Sequence, residues 1–568
     1  VRPDGTGLRQ ITEGPHDDFS PRELPDGNLM FISTRRGGYH RCGRGPCDVY
    51  TLALADGDGA NPRTVSYHET QEWDPAVLAD GRVIYTRWDY VDRNAVHYQH
   101  LWSVRPDGTG PAIYYGNNTL NPVGIWEARQ VPASTQVMAT AAAHHAMTAG
   151  SIILLDTTRG VDGLEPVTRL TPDAPFPESE THVLPGGWHA PGSPKEYDTP
   201  EEARRWPGHC YRSPYPLSET YFLAAYSFDP LIGEPAGNKP NMFGLYFVDA
   251  FGNKELLYRD LNISSLWPVP IRPQARPPVI PSTCDPKLAE EDEGTFFLQD
   301  VYASDPRLPE AKITHLRIVQ VLPKTTPHAN QPPVGFANAS PGKQVLGTVP
   351  VEPDGSAFFR APARIPLAFQ ALDEMGRAVQ VMRSLTYLQP GENMSCVGCH
   401  EHRLTSPIQA ATMQALQRPP SRIEPGPDGS KPLSFPLLVQ PVLDKHCVQC
   451  HGGDSPAGPE GQPIVLTGDA EGQYSKSYNV LAKRVPFSSW TGLEENGEPL
   501  THPGRFGARG SRLMDMILAG HHDVQLDDEE LDRLVTWMDA NALFYGTFKP
   551  EDQARQLRGE RIAGPALE

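Results

Sequence analysis

The sequence predicts a mainly β chain that finishes in a helical segment, and three observations carry that reading. A seven-residue phrase, Val1-Arg2-Pro3-Asp4-Gly5-Thr6-Gly7, returns unchanged at Val104 to Gly110. Proline and glycine are abundant, 60 and 51 of 568 residues, with proline at about twice its usual share. Beyond Leu388 the alternation of strands gives way to short helical periods separated by loops.

The N-terminal part, residues 1–275, reads as a repeat. A weaker copy of the opening phrase, Ala55-Asp56-Gly57-Asp58-Gly59, lies halfway between the two full copies, and Pro25-Asp26-Gly27-Asn28 is echoed by Ala79-Asp80-Gly81-Arg82. A unit of about 50 residues holding short strands and Asp-Gly turns is the signature of a propeller blade. Leu29 to Ser33, Val83 to Thr86 and Ile152 to Leu155 read as its strands. Blades anchored near Ser20, Asp74, Asn121, Ser179, Ser218 and Trp267 predict six or seven of them. The phrasing resembles TolB-like propeller repeats. The period is too short for a string of separate sandwich domains.

A proline-rich linker, Pro268 to Pro281, ends this part. Residues 282–390 alternate as strands, with 313–322 and 345–351 the clearest. The stretch 347–359 reads as a strand, a turn and a second strand in a hairpin, which predicts a small β-sandwich. Residues 391–568 read as helical. One helix is expected over 436–446, another from the cap Ser511 through Ala519, and a third over 527–541, with Leu531, Leu534, Val535 and Met538 on one face.

Lys and Arg number 50 against 69 Asp and Glu, a net charge of −19 with no basic cluster, which argues against nucleic acid as partner. No run of eighteen apolar residues exists to span a bilayer. The chain begins at Val1 inside a repeat, with no signal peptide, so its start says nothing about export.

The cysteines carry the chemistry. Four of the eight stand in Cys396-Val397-Gly398-Cys399-His400 and Cys447-Val448-Gln449-Cys450-His451. CxxCH is the c-type haem attachment motif: two thiols form thioethers to one haem, and the following histidine sits beneath the iron. Two such motifs within 55 residues predict two c-type haems, with Cys396, Cys399, Cys447 and Cys450 covalent and His400 and His451 axial. Covalent attachment takes place outside the cytoplasm, so a periplasmic or otherwise extracytoplasmic location follows.

A second ligand for the later haem is expected from His521 or His522, which follow a capped helix. His522 is the slight favourite, being one step further from the helix end. Met514, Met516 and Met538 compete, and His402 and His446 stand beside the motifs rather than on the iron. His144 and His145 would line a propeller mouth facing a haem, or form a surface turn. Cys42 and Cys47 flank a short loop that a disulfide could close. Asp-Gly turns such as Asp56-Gly57-Asp58 are candidate calcium ligands, although most such turns are only turns.

The layout, together with Pro216-Leu217-Ser218-Glu219, the stretch Val248 to Tyr258, Cys396 to Arg403 and Gly520-His521-His522-Asp523-Val524, resembles the hydrazine synthase alpha subunit and proteins related to it. That resemblance implies a propeller, a β-rich middle domain and a dihaem C-terminal part, with the first haem close to the propeller. It also implies a redox role on small nitrogen compounds, redox partner proteins and other haem subunits. It hints at zinc on Cys210 with a nearby histidine, against a buried inert thiol or a disulfide to Cys284. One departure stands out. The family's first haem takes a tyrosine from a few residues past the motif, where this chain has Glu401, His402, Arg403 and Leu404. His400 is then the expected ligand, and an electron-transfer or oxidoreductase role is a safer expectation than hydrazine synthesis itself. The alternative is a propeller that docks a partner while both haems act only as an electron conduit. No nucleotide loop or hydrolase motif appears.

Overall fold

The computed structural model describes residues 2, 4–42, 45–95, 97–142, 146–174, 209–229, 238–399, 412–426, 428–453, 463–489 and 500–567. It is mainly β, 29% strand against 13% helix. Recurrent Asp-Gly turns shape the N-terminal part. In Asp26-Gly27, Asp58-Gly59, Asp80-Gly81 and Asp107-Gly108 the glycine has a φ of 86° to 91°, which a Cβ would make costly. The aspartate Oδ1 accepts the amide N–H two residues on, at 3.0 Å in all four. These carboxylates therefore close their own turns, which accounts for them without calcium.

The turns join a four-stranded antiparallel sheet, Asp18–Glu23, Leu29–Ser33, Thr51–Ala55 and Arg63–Thr64 in sequence order, and a twelve-stranded array running from Glu72–Val77 to Lys254–Tyr258. The strands Asp18–Glu23, Glu72–Val77, Gly124–Gln130 and Cys210–Pro216 each carry a bulge. At these bulges Ser20, Asp74, Glu127 and Ser213 all adopt left-handed φ, 52° to 58°. Trp267 repeats the conformation at 50°. Of the expected anchors, Ser20, Asp74 and Trp267 hold such positions, while Glu127 and Ser213 stand where Asn121 and Ser218 were expected. Ser218 instead serves a turn, its Oγ accepting the Thr220 and Tyr221 amides. Small polar residues read alike in turns and bulges. Ser179 lies outside the described residues.

Two sheets form the middle part. One holds Ala357–Pro362, Glu293–Leu298 and Asn393–Cys396; the other holds Lys343–Pro350, His315–Val321, Leu367–Leu372 and Ala378–Val381. They share a core that includes Phe296, Ile318, Val349, Phe359 and Leu367. The hairpin expected over 347–359 is not a pair. Its turn closes through Gly355 N–H to Glu352 O (2.8 Å), but the strands on either side join different sheets. Alternation of apolar residues says which face a strand buries and not which strand it pairs with. The strand Asn393–Cys396 runs parallel to Glu293–Leu298, so this sheet continues past the expected boundary at residue 391 to the first haem-motif cysteine.

The helices Phe435–Leu438, Gln440–His446, Lys476–Leu481, Arg512–Leu518, Asp528–Asp539 and Pro550–Leu557 follow. They pack Phe435, Tyr478, Met514, Trp537 and Phe544 into one core. The helix expected over 436–446 is two pieces broken at Val439, each with a proline in its first turn, because proline is pre-organised to start a helix and cannot continue one. Ser511 occupies its cap position, but its hydroxyl donates to Arg484 O (3.2 Å) and makes no cap bond. Among the described residues no helix is long and apolar enough to cross a membrane.

The helices are bound to the middle sheets by a buried ion pair. Asp539 accepts from Arg317 Nη1 at 3.0 Å and from the amides of Ala378 and Ala508 at 2.8 Å each. Removing one member of such a pair strands the other charge without water. Asp539→Ala is therefore expected to lower the unfolding free energy by about 3–5 kcal/mol, read as a fall in the urea midpoint.

Candidate functional site: two CxxCH motifs and a facing histidine pair

The second motif is built as the continuation of a helix. After Gln440–His446 the turn carries on: Cys447 N–H donates to Leu443 O (2.8 Å), Cys450 N–H to Cys447 O (3.1 Å) and His451 N–H to Cys447 O (2.8 Å). This winding puts both thiols and the imidazole on one stretch of surface. Cys447 leans on the helical core, and burial, followed by the neighbouring Cys450, pushes its thiol up to about 11. Cys450 is exposed. The Nδ1 of His451 lies 3.2 Å from the carbonyl oxygen of Ile464. Donation from Nδ1 leaves Nε2 with its lone pair free, the tautomer a metal ligand needs.

The opposite ring is His521. Its centroid lies 6.2 Å from that of His451, with the two planes 16° apart. Metal–nitrogen bonds of about 2 Å plus a ring radius of about 1 Å on each side put two imidazoles on opposite faces of one iron about 6 Å apart between centroids. The pair has the spacing that a six-coordinate haem iron requires. Gly520, at a φ of 88°, ends the preceding helix and turns the chain toward His451. Of the two expected candidates, His521 is the one whose ring lies near His451, and His522 packs edge-on against His521 at 4.5 Å. Burial, then His522 and His451, lowers the His521 pKa, which favours the neutral ring. Met514 and Met538 are wholly enclosed in the helical core, and Met516 is exposed on the surface.

A clamp holds the helix Asp528–Asp539 beside this motif. Glu530 caps Asp528–Asp539 together with Asp527 in a reciprocal box. Its carboxylate also accepts from Lys445 Nζ at 2.5 Å and lies 3.0 Å from His446 Nε2 through both oxygens. His446 thus serves the clamp. The box was legible as Asp527-x-x-Glu530; the reach back to Lys445 and His446 was not.

The first motif grows from the middle sheets. Gln299 N–H donates to Cys396 O (3.0 Å), Asp300 N–H to Val397 O (3.1 Å) and Cys399 N–H to Ala303 O (3.1 Å). A Cβ on Gly398 would stand 1.8 Å from Ala303 O, so only glycine lets the motif lie this close. Cys396 and Cys399 both pack against the sandwich core. His400, Glu401, His402, Arg403 and Leu404 lie outside the described residues, as do His144 and His145.

Cys210 is buried among Ala149, Ala225, Met242 and Phe243, and burial pushes its thiol up to about 12. That environment suits an inert thiol rather than zinc. Among the described residues no group of three His, Cys, Asp or Glu could hold a metal ion. Cys47 Sγ lies 3.5 Å from Gln71 Nε2 and 3.7 Å from Asp48 O, and Cys42 packs near Trp88 and Tyr90.

Residues 311–401, which hold six whole strands of the two middle sheets and the whole first CxxCH motif, match the family model for the hydrazine synthase alpha subunit middle domain. The chain is related to the alpha subunit of hydrazine synthase. The curated alpha subunit of Kuenenia stuttgartiensis is 22% identical to it, over 48% of this chain and 44% of that one. The alignment thus spans less than half of that relative. The solved Kuenenia stuttgartiensis hydrazine synthase superposes with a TM-score of 0.67 at 17% identity, covering 100% of this chain and 85% of its own. That likeness establishes a common fold.

The clamp has a pH signature. Burial raises the Glu530 pKa, but the Lys445 hydrogen bond, the Asp527 amide and His446 outweigh it and bring it from 4.5 down to about 2. A depressed carboxylate stabilises the fold above its unfolded pKa and ceases to do so as pH falls through its folded one. Glu530→Gln should therefore be less stable than the parent at neutral pH. The gap should close between pH 4.5 and about 2 in urea titrations.

Proposed function

We propose that this protein is an exported dihaem c-type cytochrome that transfers electrons, with redox chemistry on small nitrogen compounds at the first haem. The His451–His521 pair carries the reading, because 6.2 Å between nearly parallel rings suits two ligands of one iron. Cys447 and Cys450 would hold that haem covalently, and Cys396 and Cys399 the first, with His400 beneath it. When bound, a haem with imidazole on both faces supplies a one-electron couple that changes state with little rearrangement. The chain's own part is to keep His451 in one tautomer through Ile464 and to hold His521 opposite it.

The relation to hydrazine synthase supports the nitrogen-compound setting and the company of other redox or haem subunits. We read the N-terminal sheets as a propeller of six or seven blades over residues 1–275, a sandwich over 282–390 and the dihaem part over 391–568. The in-order four-stranded sheet and the four bulged strands support the propeller. In an oxidising compartment outside the cytoplasm, Cys42 and Cys47 would close their loop. The docking alternative draws support from the strand Lys254–Tyr258, where Leu256, Leu257 and Tyr258 are 51% to 56% exposed.

Intact mass and haem-stained denaturing gels should give two covalent haems per chain, and one or none would overturn the reading. His521→Ala should convert one low-spin electron paramagnetic resonance signal to high spin, while His522→Ala leaves it low-spin.

A further inference from the structure

We propose that the pocket where the four bulged strands meet Trp267 binds a small monovalent anion between the guanidinium groups of Arg22 and Arg129. Arg22, Asp74, Glu127, Arg129, Ser213 and Trp267 line it. Its enclosed volume is about 10 Å³, the scale of one small ion or water and far below a pocket for an organic ligand.

The charges in it do not cancel. Glu127 is engaged on all sides: it accepts from Arg212 at 3.0 Å, from the Ser213 hydroxyl at 2.8 Å, from the Thr140 hydroxyl at 3.0 Å and from the Ser213 amide. Arg212 is thereby neutralised. Arg22 spends Nη1 on Pro21 O (2.7 Å), while its buried Nε has no partner among the described residues. The Arg129 guanidinium sits 5.4 Å over the Tyr215 ring and makes no hydrogen bond or ion pair among the described residues. Two cations therefore share the pocket with one further carboxyl, Asp74, which also makes no hydrogen bond among the described residues. Burial, then the Glu127 charge, raises Asp74, and Arg212 holds Glu127 low. At about 6, Asp74 is mostly ionised near neutral pH, so one free carboxylate faces two guanidiniums and a net positive charge remains in the pocket. Burial lowers both arginines, and they repel each other. An anion between them relieves that repulsion.

The backbone supplies an independent pointer. Left-handed φ at a non-glycine residue costs free energy and collects at binding sites. Here Ser20, Asp74, Glu127, Ser213 and Trp267 all adopt it at or beside this pocket. Each bulge aims its strand's side chains there in place of continuing the ladder.

Bromide is the probe, applied to the full-length haem-loaded protein. Crystals soaked in sodium bromide should show an anomalous peak between Arg22 and Arg129, and bromide titration in solution should saturate. Arg129→Gln should weaken that binding about tenfold or more, the size of one lost hydrogen bond to a charged group, with the haem spectrum unchanged. Asp74→Asn removes the one competing negative charge and should retain or tighten bromide binding. No peak in the parent crystals overturns the proposal whether or not the variants fold. So does a cation site, in which Asp74→Asn abolishes binding of a divalent ion and Arg129→Gln improves it.

Discussion

A buried carboxylate, Asp92, ties the three parts of this chain together. It comes from the N-terminal sheets. From the middle part, Lys343 Nζ approaches it at 2.5 Å and the Ser340 hydroxyl donates to it at 2.6 Å. From the helical part, Asn541 Nδ2 donates to it at 3.1 Å, and the Ser488 hydroxyl donates to the Asp92 carbonyl. Each buried ion loses hydration worth several kcal/mol, so the arrangement is tolerated only when every partner is present together. Lys343 feels the same tension: burial lowers its pKa and Asp92 pulls it back. Arg41, which pairs with Glu69 and donates to Ala339 O, and Arg87, which donates to Leu385 O at 2.8 Å, repeat the device along the same boundary. Polar networks of this kind hold only one relative placement of the parts, where an apolar interface could slide.

That constraint matters because the two CxxCH motifs stand on different supports. The first is an extension of a strand, its backbone bonded to residues 299–303 and fitted through Gly398. The second is an extra turn of helix, and its facing imidazole arrives from a separate loop. A strand-borne motif moves with its sheet. A histidine pair drawn from two segments stays at 6.2 Å only while the helices on either side remain packed. Glu530 serves that end, because its carboxylate joins the start of the helix Asp528–Asp539 to the residues just before Cys447.

Much of this was legible in the residues. The CxxCH spacing is chemistry written locally, since two thioethers and one ligand need only five consecutive positions. The Asp-Gly turns announced themselves because glycine alone accepts that φ cheaply. The misreadings share one cause. Residues 347–359 alternate as a hairpin would, yet Lys343–Pro350 pairs with His315–Val321 and Ala357–Pro362 with Glu293–Leu298. Met514 and Met538 resemble iron ligands in sequence, and burial in the helical core sets them apart.

By itself the sequence determined the two CxxCH motifs, the β-to-helical order of the chain and the turns, because each depends on neighbours a few positions apart. Tertiary structure decided that the His521 ring rather than that of His522 lies near His451 and that Ile464 O meets the His451 ring. It also decided that Arg22, Asp74, Glu127 and Arg129 share one pocket. Those pairings join segments tens to hundreds of residues apart, and only the packing of whole sheets and helices sets the distance between their side chains.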